Sequence, residues 1–109
     1  VLSSKVMGKE EFMNIFQELS HSEADDLWRL TFLRALSRYA FFSSKQGVRI
    51  LQCFEWSKER VEACIIIFGR IVDTENMHIL TSILNRAEER QLFSTLGMAA
   101  YLRTENPSG

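Results

Sequence analysis

Apolar side chains recur at helical spacing along most of the chain, and this pattern predicts an all-α fold. The first helix is marked by apolar residues at i, i+3, i+4 and i+7, namely Phe12, Ile15, Phe16 and Leu19. The next stretch, roughly 23–40, is apolar over most of its circumference. Because a helix that is apolar on most sides packs on most sides, we expect this second helix to be the central element.

Capping residues mark where the second and third helices begin. Ser22 followed by Asp25 resembles a capping box, which predicts that the second helix begins near residue 23. Ser43 followed by Gln46 is the same reciprocal pair, and it predicts a short third helix of about eleven residues.

A fourth helix is predicted after Trp56. Ser57 is the expected cap, and Trp56 and Val61 have the spacing of a hydrophobic staple. The isoleucine run 65–67 resembles a buried strand by itself, but the helical stripe around it favours a helix.

Two further helix starts follow. Asp73 is the expected cap of a short helix, whose apolar positions are Met77, Leu80, Ile83 and Leu84. Asn85 with Glu88 predicts the start of a final helix over about 86–102.

The pattern repeats at an interval of about thirty residues, as the cap pairs Ser43 and Asp73, and Ser57 and Asn85, show. A short helix followed by a longer one is typical of stacked helical hairpins. Two such units and a central helix predict a compact bundle of about six helices. We expect a lead-in at 1–7, a single helical domain at 8–103 and a disordered tail at 104–109.

The segment FFSSKQGVRILQCFEW at 41–56 combines an aromatic-Phe-Ser start, a glutamine, an Ile-Leu pair and two later aromatic residues. The matching positions are Phe41, Phe42, Ser43, Ser44, Gln46, Val48, Ile50, Leu51, Phe54 and Trp56. This segment resembles the helical domain-of-unknown-function family 4476, which is found at the N-terminus of metazoan proline- and serine-rich proteins and in some bacterial proteins. The resemblance covers about Gly8 to Leu96 and is strongest in the middle.

This chain departs from the family pattern at two places. Gly47 stands where an apolar residue is usual, and Leu84-Asn85 replaces an aromatic pair. The resemblance implies a non-catalytic protein-interaction domain, and it supplies no catalytic residues and no cofactor.

Charge is unevenly distributed although the formal net charge is only −1. Residues 27–70 carry eight Lys and Arg against three Glu, while residues 1–26 carry two Lys against six acidic residues. The near-neutral total makes nucleic acid an unlikely main partner. No apolar run reaches the length of a membrane span, and the chain begins with Val1, so we expect a piece of a longer intracellular protein, cytoplasmic or nuclear.

Residues that could carry chemistry are sparse. His21 and His78 have no ligand spacing with cysteine, so we expect no metal and no cofactor. Cys53 and Cys64 lie in apolar helical settings, which favours buried, unreactive thiols. The acidic residues cluster at helix starts, where capping explains them. We therefore expect that the chain is not an enzyme.

Surface side chains remain as candidates for binding. Arg34 and Arg38 share one helix face, and Lys45 and Arg49 share another. If the second and third helices are neighbours, these four residues form one basic patch, for which the candidate occupant is an acidic segment of a partner protein. The alternative is that these four residues have no binding role and only solubilise the outer faces of the helices.

The two tryptophans, Trp28 and Trp56, are expected in the core or in staples, and an exposed one is a candidate anchor for a partner.

The function that we expect is binding of a peptide or helix from another protein, with no small-molecule substrate and no membrane. Two alternatives stay open. A death-fold-like domain acts by self-association, which its mass in solution tests. A nucleic-acid-binding helical domain is the weaker alternative, and the salt dependence of RNA and DNA binding tests it.

Overall fold

Six α-helices form the part of the chain that the computed structural model describes, residues 5–97. Their bounds are α1 (Lys9–Leu19), α2 (Asp26–Leu36), α3 (Ser44–Leu51), α4 (Ser57–Phe68), α5 (His78–Thr81) and α6 (Arg86–Leu96). A single 3-10 turn, Thr74–Asn76, precedes α5. No strand is present within residues 5–97, where extended pairing is limited to the parallel bridge between Phe42 and Ile71. The all-α prediction is confirmed.

The helices form two layers. In one layer α1 packs on α3 and α3 on α5, and in the other α2 packs on α4 and α4 on α6. Contacts between α3 and α4 join the layers. The described chain measures 37 × 36 × 18 Å, and its least dimension is that of two helices, each about 10 Å across. The chain is therefore a stack of three helical hairpins, where the sequence pattern predicted two hairpins and a central helix.

Hydrogen bonds join the starts of neighbouring helices within each layer. Neighbouring helices in a layer therefore run in the same direction. The backbone N–H of Ser44, at the start of α3, donates to the Asp73 carboxylate before α5 at 2.7 Å, across 29 residues. Arg60 in the first turn of α4 donates to Glu88 in the first turn of α6 at 2.9 Å, across 28 residues. These separations match the repeat interval read from the sequence, so the interval reflects the stacking of one hairpin on the next.

The central helix is α4. It packs against α2, α3 and α6, and it buries Val61, Ala63, Cys64, Ile67 and Phe68. The prediction that the second helix is central is wrong. Within its layer, helix α2 packs on α4 at one side and on no other described helix at the opposite side. Much of its apolar surface therefore stays exposed.

Helix α2 is also shorter than the predicted range 23–40, because it begins at Asp26 and ends at Leu36. Its cap is Asp25 and not Ser22. The backbone of Asp25 is extended, and its carboxylate accepts a hydrogen bond from the N–H of Trp28 at 2.8 Å. A carboxylate is as good a cap as a hydroxyl and here it lies nearer the apolar run.

Helix α4 begins differently from the prediction. Trp56 is the cap residue, Ser57 is the first helical residue, and no side chain of the helix itself caps it. The predicted staple is absent, since Val61 is buried at 1% exposure whereas the Trp56 side chain is 70% exposed. The N–H groups at the start of α4 are bound instead by a side chain of another helix. The Asp26 carboxylate accepts hydrogen bonds from the N–H groups of Glu55 and Trp56.

The two other capping boxes are confirmed. The Ser43 hydroxyl accepts from the N–H of Gln46 at 3.1 Å, and the Gln46 side chain accepts from the N–H of Ser43 at 3.0 Å. Asn85 and Glu88 form the same reciprocal pair at 2.8 and 3.0 Å. Both boxes depend only on residues three apart, which is why the sequence alone predicts them.

The chain around the third hairpin contains less helix than predicted. Asp73 precedes the 3-10 turn but does not cap it through its side chain, and α5 has only four residues. Helix α6 ends at Leu96, where Gly97 adopts a φ of +92°. The rest of the predicted final helix, 98–102, and the predicted tail, 104–109, lie outside the described residues.

At the other end of the chain, Met7 of the predicted lead-in is buried, and its N–H donates to the carbonyl of Phe41 at 2.9 Å.

Candidate functional site

Three large apolar side chains lie exposed at one end of the stack. Leu27 and Trp56 are each 70% exposed and Trp28 is 43% exposed. The starts of α2 and α4, which carry these side chains, lie close together because the Asp26 carboxylate, next to Leu27 in the chain, accepts from the N–H of Trp56 at 2.8 Å. Since α2 and α4 are parallel, both helix starts are at this end. We call Leu27, Trp28 and Trp56 the apolar ridge.

Trp28 is held in place by its own helix. Its ring stacks on Phe32, one turn further along α2, with ring centroids 5.2 Å apart and an interplanar angle of 7°. Phe32 is itself partly buried against the core. A tryptophan that is already ordered loses little conformational entropy when a partner covers it, which makes it a favourable contact residue.

A buried ion pair between Asp26 and Arg29 fixes the backbone segments that carry the apolar ridge. Asp26 and Arg29 are each 5% exposed, and their side chains meet at 2.7 Å. Arg29 also donates to the carbonyl of Leu19, at the end of α1, at 2.7 Å and to the carbonyl of His21 at 3.3 Å. The pair thus connects α1, α2 and the start of α4, so it fixes the relative positions of the three segments.

Arg60, one hairpin later, also joins a backbone carbonyl to a carboxylate, but its carboxylate partner lies on another helix. It donates to the carbonyl of Phe54, just after α3, at 2.6 Å and to the Glu88 carboxylate at 2.9 Å. Burial of Glu88 opposes its ionisation, but the N–H of Asn85, the hydroxyl of Ser57 and the Arg60 charge outweigh burial and hold its pKa below the ordinary value. Glu88 is therefore an ionised structural residue.

Asp73 is the corresponding carboxylate in the other layer. Burial opposes its ionisation, yet hydrogen bonds from the side chain of Asn76 and from the N–H and hydroxyl of Ser44 hold its pKa below the ordinary value. Asp73 thus connects α3 with the turn before α5, and its charge serves the packing of hairpins.

A pocket adjoins the apolar ridge and shares Trp28 with it. Its volume is about 470 Å³. The lining residues come from the end of α1, the connecting turn and the start of α2: Glu18, His21, Glu23, Ala24, Asp25 and Trp28. We call this the acidic pocket, because three of its six residues are carboxylates and none is Lys or Arg.

A second pocket of about 460 Å³ lies towards the other end of α2. It is lined by Lys5, Val6, Met7, Gly8, Glu11, Leu36, Tyr39, Ala40 and Phe41. Its charged residues, Lys5 and Glu11, are of opposite sign, so its electrostatics favour neither an acidic nor a basic ligand.

Three of the four predicted basic residues lie on two helices that have different neighbours. Arg38 lies beyond the end of α2 at Leu36, so the prediction that it shares a helix face with Arg34 is wrong. Arg34 on α2 meets Glu62 of α4 at 3.3 Å. Arg49 on α3 lies over the Phe16 ring of α1, with 4.2 Å between the guanidinium carbon and the ring centroid. Helix α2 packs mainly on α4, whereas α3 packs on α1, α4 and α5, so two of the four cations are directed to separate neighbours.

The other two members of the predicted basic set, Arg38 and Lys45, are exposed. Partner binding by Arg34, Arg38, Lys45 and Arg49 stays a prediction.

The two cysteines differ in environment, and both are free thiols. Cys64 is fully buried, and burial together with the Glu88 charge raises the pKa of its thiol to about 12. Cys53 is half-buried; burial raises the pKa of its thiol, while Arg29 and Arg49 oppose part of that rise. Within residues 5–97 no group of three or more His, Cys, Asp or Glu is placed to hold a metal ion.

The sequence pattern placed Leu27 and Trp28 on a buried helix and Trp56 in a staple. It named the two tryptophans as candidate anchors only if exposed, and it missed Leu27 and the apolar ridge as a whole. One signal was present. Asp26 and Arg29 are three apart at the start of an apolar helix, which is the spacing of an ion pair on one helix face.

The fold and its surface define an all-α domain of stacked helical hairpins with an exposed apolar ridge at the paired starts of α2 and α4. Residues 6–96 match the model of the domain of unknown function DUF4476, and the chain belongs to that family. No curated protein and no solved structure matches the chain in the corresponding searches. In the described part of the chain, no helix has the length and apolar character needed to cross a membrane.

Proposed function

We propose that this domain is a non-catalytic protein-interaction module that binds a peptide or helical segment of another protein. The observation that supports this proposal is the apolar ridge, where Leu27 and Trp56 each expose 70% of their surface beside a partly exposed Trp28. Clustered aromatic and aliphatic side chains of this kind provide most of the binding energy in protein interfaces.

The proposal includes the setting of the domain. The resemblance of residues 41–56 to the N-terminal domain of metazoan proline- and serine-rich proteins favours a module within a longer intracellular chain. In such a chain, the domain supplies an attachment point for a partner protein and carries no reaction of its own.

The support beneath the apolar ridge favours a preformed binding surface. Asp26 and Arg29 fix the starts of α2 and α4 to the end of α1, and Phe32 orders the Trp28 ring. A preformed surface loses less entropy on binding than one that must first order itself. We therefore expect binding without a change of helix content.

The test is selection of random peptides displayed on phage against the 109-residue chain, followed by titration of synthetic copies of the selected peptides. We expect a shared sequence pattern and saturable binding that the double variant Leu27→Ser/Trp56→Ser weakens at least about tenfold, since the loss of one anchor residue costs more than about 1.4 kcal/mol.

The matched control is Tyr39→Ser. Tyr39 is 84% exposed and lies beyond the other end of α2, so the same kind of change should leave binding unaltered. Serine at Trp56 is tolerated by the fold because this is a cap position, where serine is favoured. If no peptide binds, or if Tyr39→Ser weakens binding as much as the double variant does, the proposed function is wrong.

A further inference from the structure

We infer that the acidic pocket receives a lysine or arginine side chain of the bound peptide, while apolar residues beside it in that peptide cover the apolar ridge. This inference rests on the proposed function, and it specifies the chemistry of the partner: a segment in which a basic residue is next to apolar residues.

The geometry of the pocket suits a long cationic side chain. Its volume of about 470 Å³ exceeds what such a side chain fills, and Trp28 forms one wall. The aliphatic part of a lysine or arginine packs against an indole ring, and the charged group is attracted to the ring face and to the carboxylates around it. Because Trp28 lines the pocket and also belongs to the apolar ridge, we expect one peptide to contact both.

The charge in the pocket is negative and is not compensated within the described part of the chain. Glu18, Glu23 and Asp25 form no ion pair among residues 5–97. Arg29 reaches the carbonyl of His21, which lines the pocket, but the Asp26 carboxylate at 2.7 Å neutralises it. A cationic ligand is therefore attracted to the pocket, and an acidic ligand is repelled.

Helix electrostatics account for only part of this charge. Asp25 caps α2, and Glu23 lies near the positive end of the same helix dipole, so both stabilise the fold locally. Glu18 is in the last turn of α1, where a negative charge is unfavourable for the helix dipole, and α1 has no basic residue in that turn. The stability of α1 therefore gives no reason for Glu18, and its charge adds to the negative charge of the pocket.

Other charges around the apolar ridge point the same way. Glu55 is exposed and Glu59 is partly exposed beside Trp56, against the single exposed Lys58 in that segment. A peptide with basic residues is therefore complementary to the charges around the apolar ridge, in contrast to the predicted basic set, which suits an acidic peptide.

The test uses a peptide selected on phage against the unmodified chain and compares two domain variants of equal charge. In the pocket variant Glu18→Gln, Glu23→Gln and Asp25→Asn are combined, and asparagine keeps the capping ability of Asp25. In the control variant Glu10, Glu11 and Glu75, all exposed and outside the pocket, are changed to glutamine.

We expect the selected peptides to be enriched in lysine or arginine next to apolar residues. The pocket variant should bind them at least about tenfold more weakly, and the control variant should bind them within about twofold of the unmodified chain. Replacing the basic residue of the peptide with norleucine should weaken binding to the unmodified chain and have little effect on the pocket variant.

Each other outcome is decisive. Selected peptides without basic residues, or equal binding by the pocket and control variants, overturn the inference and leave the proposed function standing. Acidic peptides that lose binding on Arg38→Glu and Lys45→Glu overturn the inference in favour of the basic set. Absence of any selected peptide overturns the proposed function itself.

Discussion

The Asp26 carboxylate, on the first residue of α2, accepts a hydrogen bond from the N–H of Trp56 at the start of α4 at 2.8 Å. It accepts a second from the N–H of Glu55 at 3.0 Å. An acidic residue of one hairpin thus caps a helix of the next, and the tryptophan whose backbone it holds has its side chain in solvent. The Asp26 carboxylate therefore both joins two hairpins and positions the backbone that carries the apolar ridge.

We predict that Asp26→Ala lowers the free energy of unfolding by about 3–5 kcal/mol, because it leaves the buried Arg29 without its counter-ion and the start of α4 without its cap. Urea unfolding monitored by circular dichroism measures the change. The neighbouring Asp25→Ala is the comparison: it removes one cap bond, to the N–H of Trp28, and should cost only about 1 kcal/mol. Equal effects of the two changes would contradict the role assigned to Asp26.

We predict that the stability supplied by Glu88 and Asp73 is lost in acid. Their pKa values lie below the ordinary values in the folded chain, so their contribution is complete above about pH 4.3 for Glu and 3.9 for Asp and disappears as pH falls through the folded pKa values. The double variant Glu88→Gln/Asp73→Asn should be less stable than the unmodified chain at neutral pH, and the difference should shrink at low pH. A difference that is constant with pH would refute the prediction.

Gly47 lies where α3 contacts the third hairpin. A Cβ atom there would be 2.7 Å from Cδ1 of the fully buried Leu80 and 3.3 Å from side-chain atoms of Ile67 and Ile71. We predict that Gly47→Val destabilises the fold by about 1–3 kcal/mol, as overpacking does in other cores. Gly69→Val, at a site with no atom within 4 Å, should change stability by no more than about 0.5 kcal/mol. Thermal melting of both variants checks this.

This contact accounts for the glycine at position 47, where a Cβ atom would meet three side chains. The three surrounding side chains occupy the space that a larger residue would need.

We predict that the two thiols react at very different rates with an aromatic disulfide reagent in the native state. Cys64 is fully buried with its pKa raised to about 12, so it should react only on unfolding. Cys53 is half-buried and its pKa is raised, so it should react slowly but measurably. Cys53→Ser should abolish the native-state reaction and Cys64→Ser should leave it unchanged. A native reaction that survives Cys53→Ser would show that the interior opens around α4.

The predicted basic set has its own test. The triple variant Arg34→Glu/Arg38→Glu/Arg49→Glu should abolish partner binding if those cations orient the partner. We expect a small loss of stability, because Arg34 forms a solvent-exposed ion pair with Glu62 and Arg49 lies over the Phe16 ring. Each contact is worth about 1 kcal/mol or less. Binding that survives the triple change would exclude the basic set as the contact surface. The triple variant Lys9→Glu/Arg86→Glu/Arg90→Glu, at exposed positions outside the basic set, controls for the added negative charge.

The sequence by itself determined the helices and two of their boundaries. The capping boxes at Ser43 and Asn85 were predicted correctly, since each is closed by hydrogen bonds between residues three apart. The apolar stripe of α1 and the burial of Cys64 were also readable, and so was the repeat interval. These features depend on local backbone geometry and on the period of the helix, which a linear pattern records directly.

Only the tertiary structure decided which apolar residues are core and which are surface. Leu27 and Trp56 have the same chemical character as buried residues, but the first hairpin has a neighbour on one side only and Asp26 takes over the capping of α4. Both effects come from residues about thirty positions apart in the chain, and no local pattern reports them. The position of the apolar ridge therefore follows from how the hairpins stack, while the helices that form it follow from the sequence.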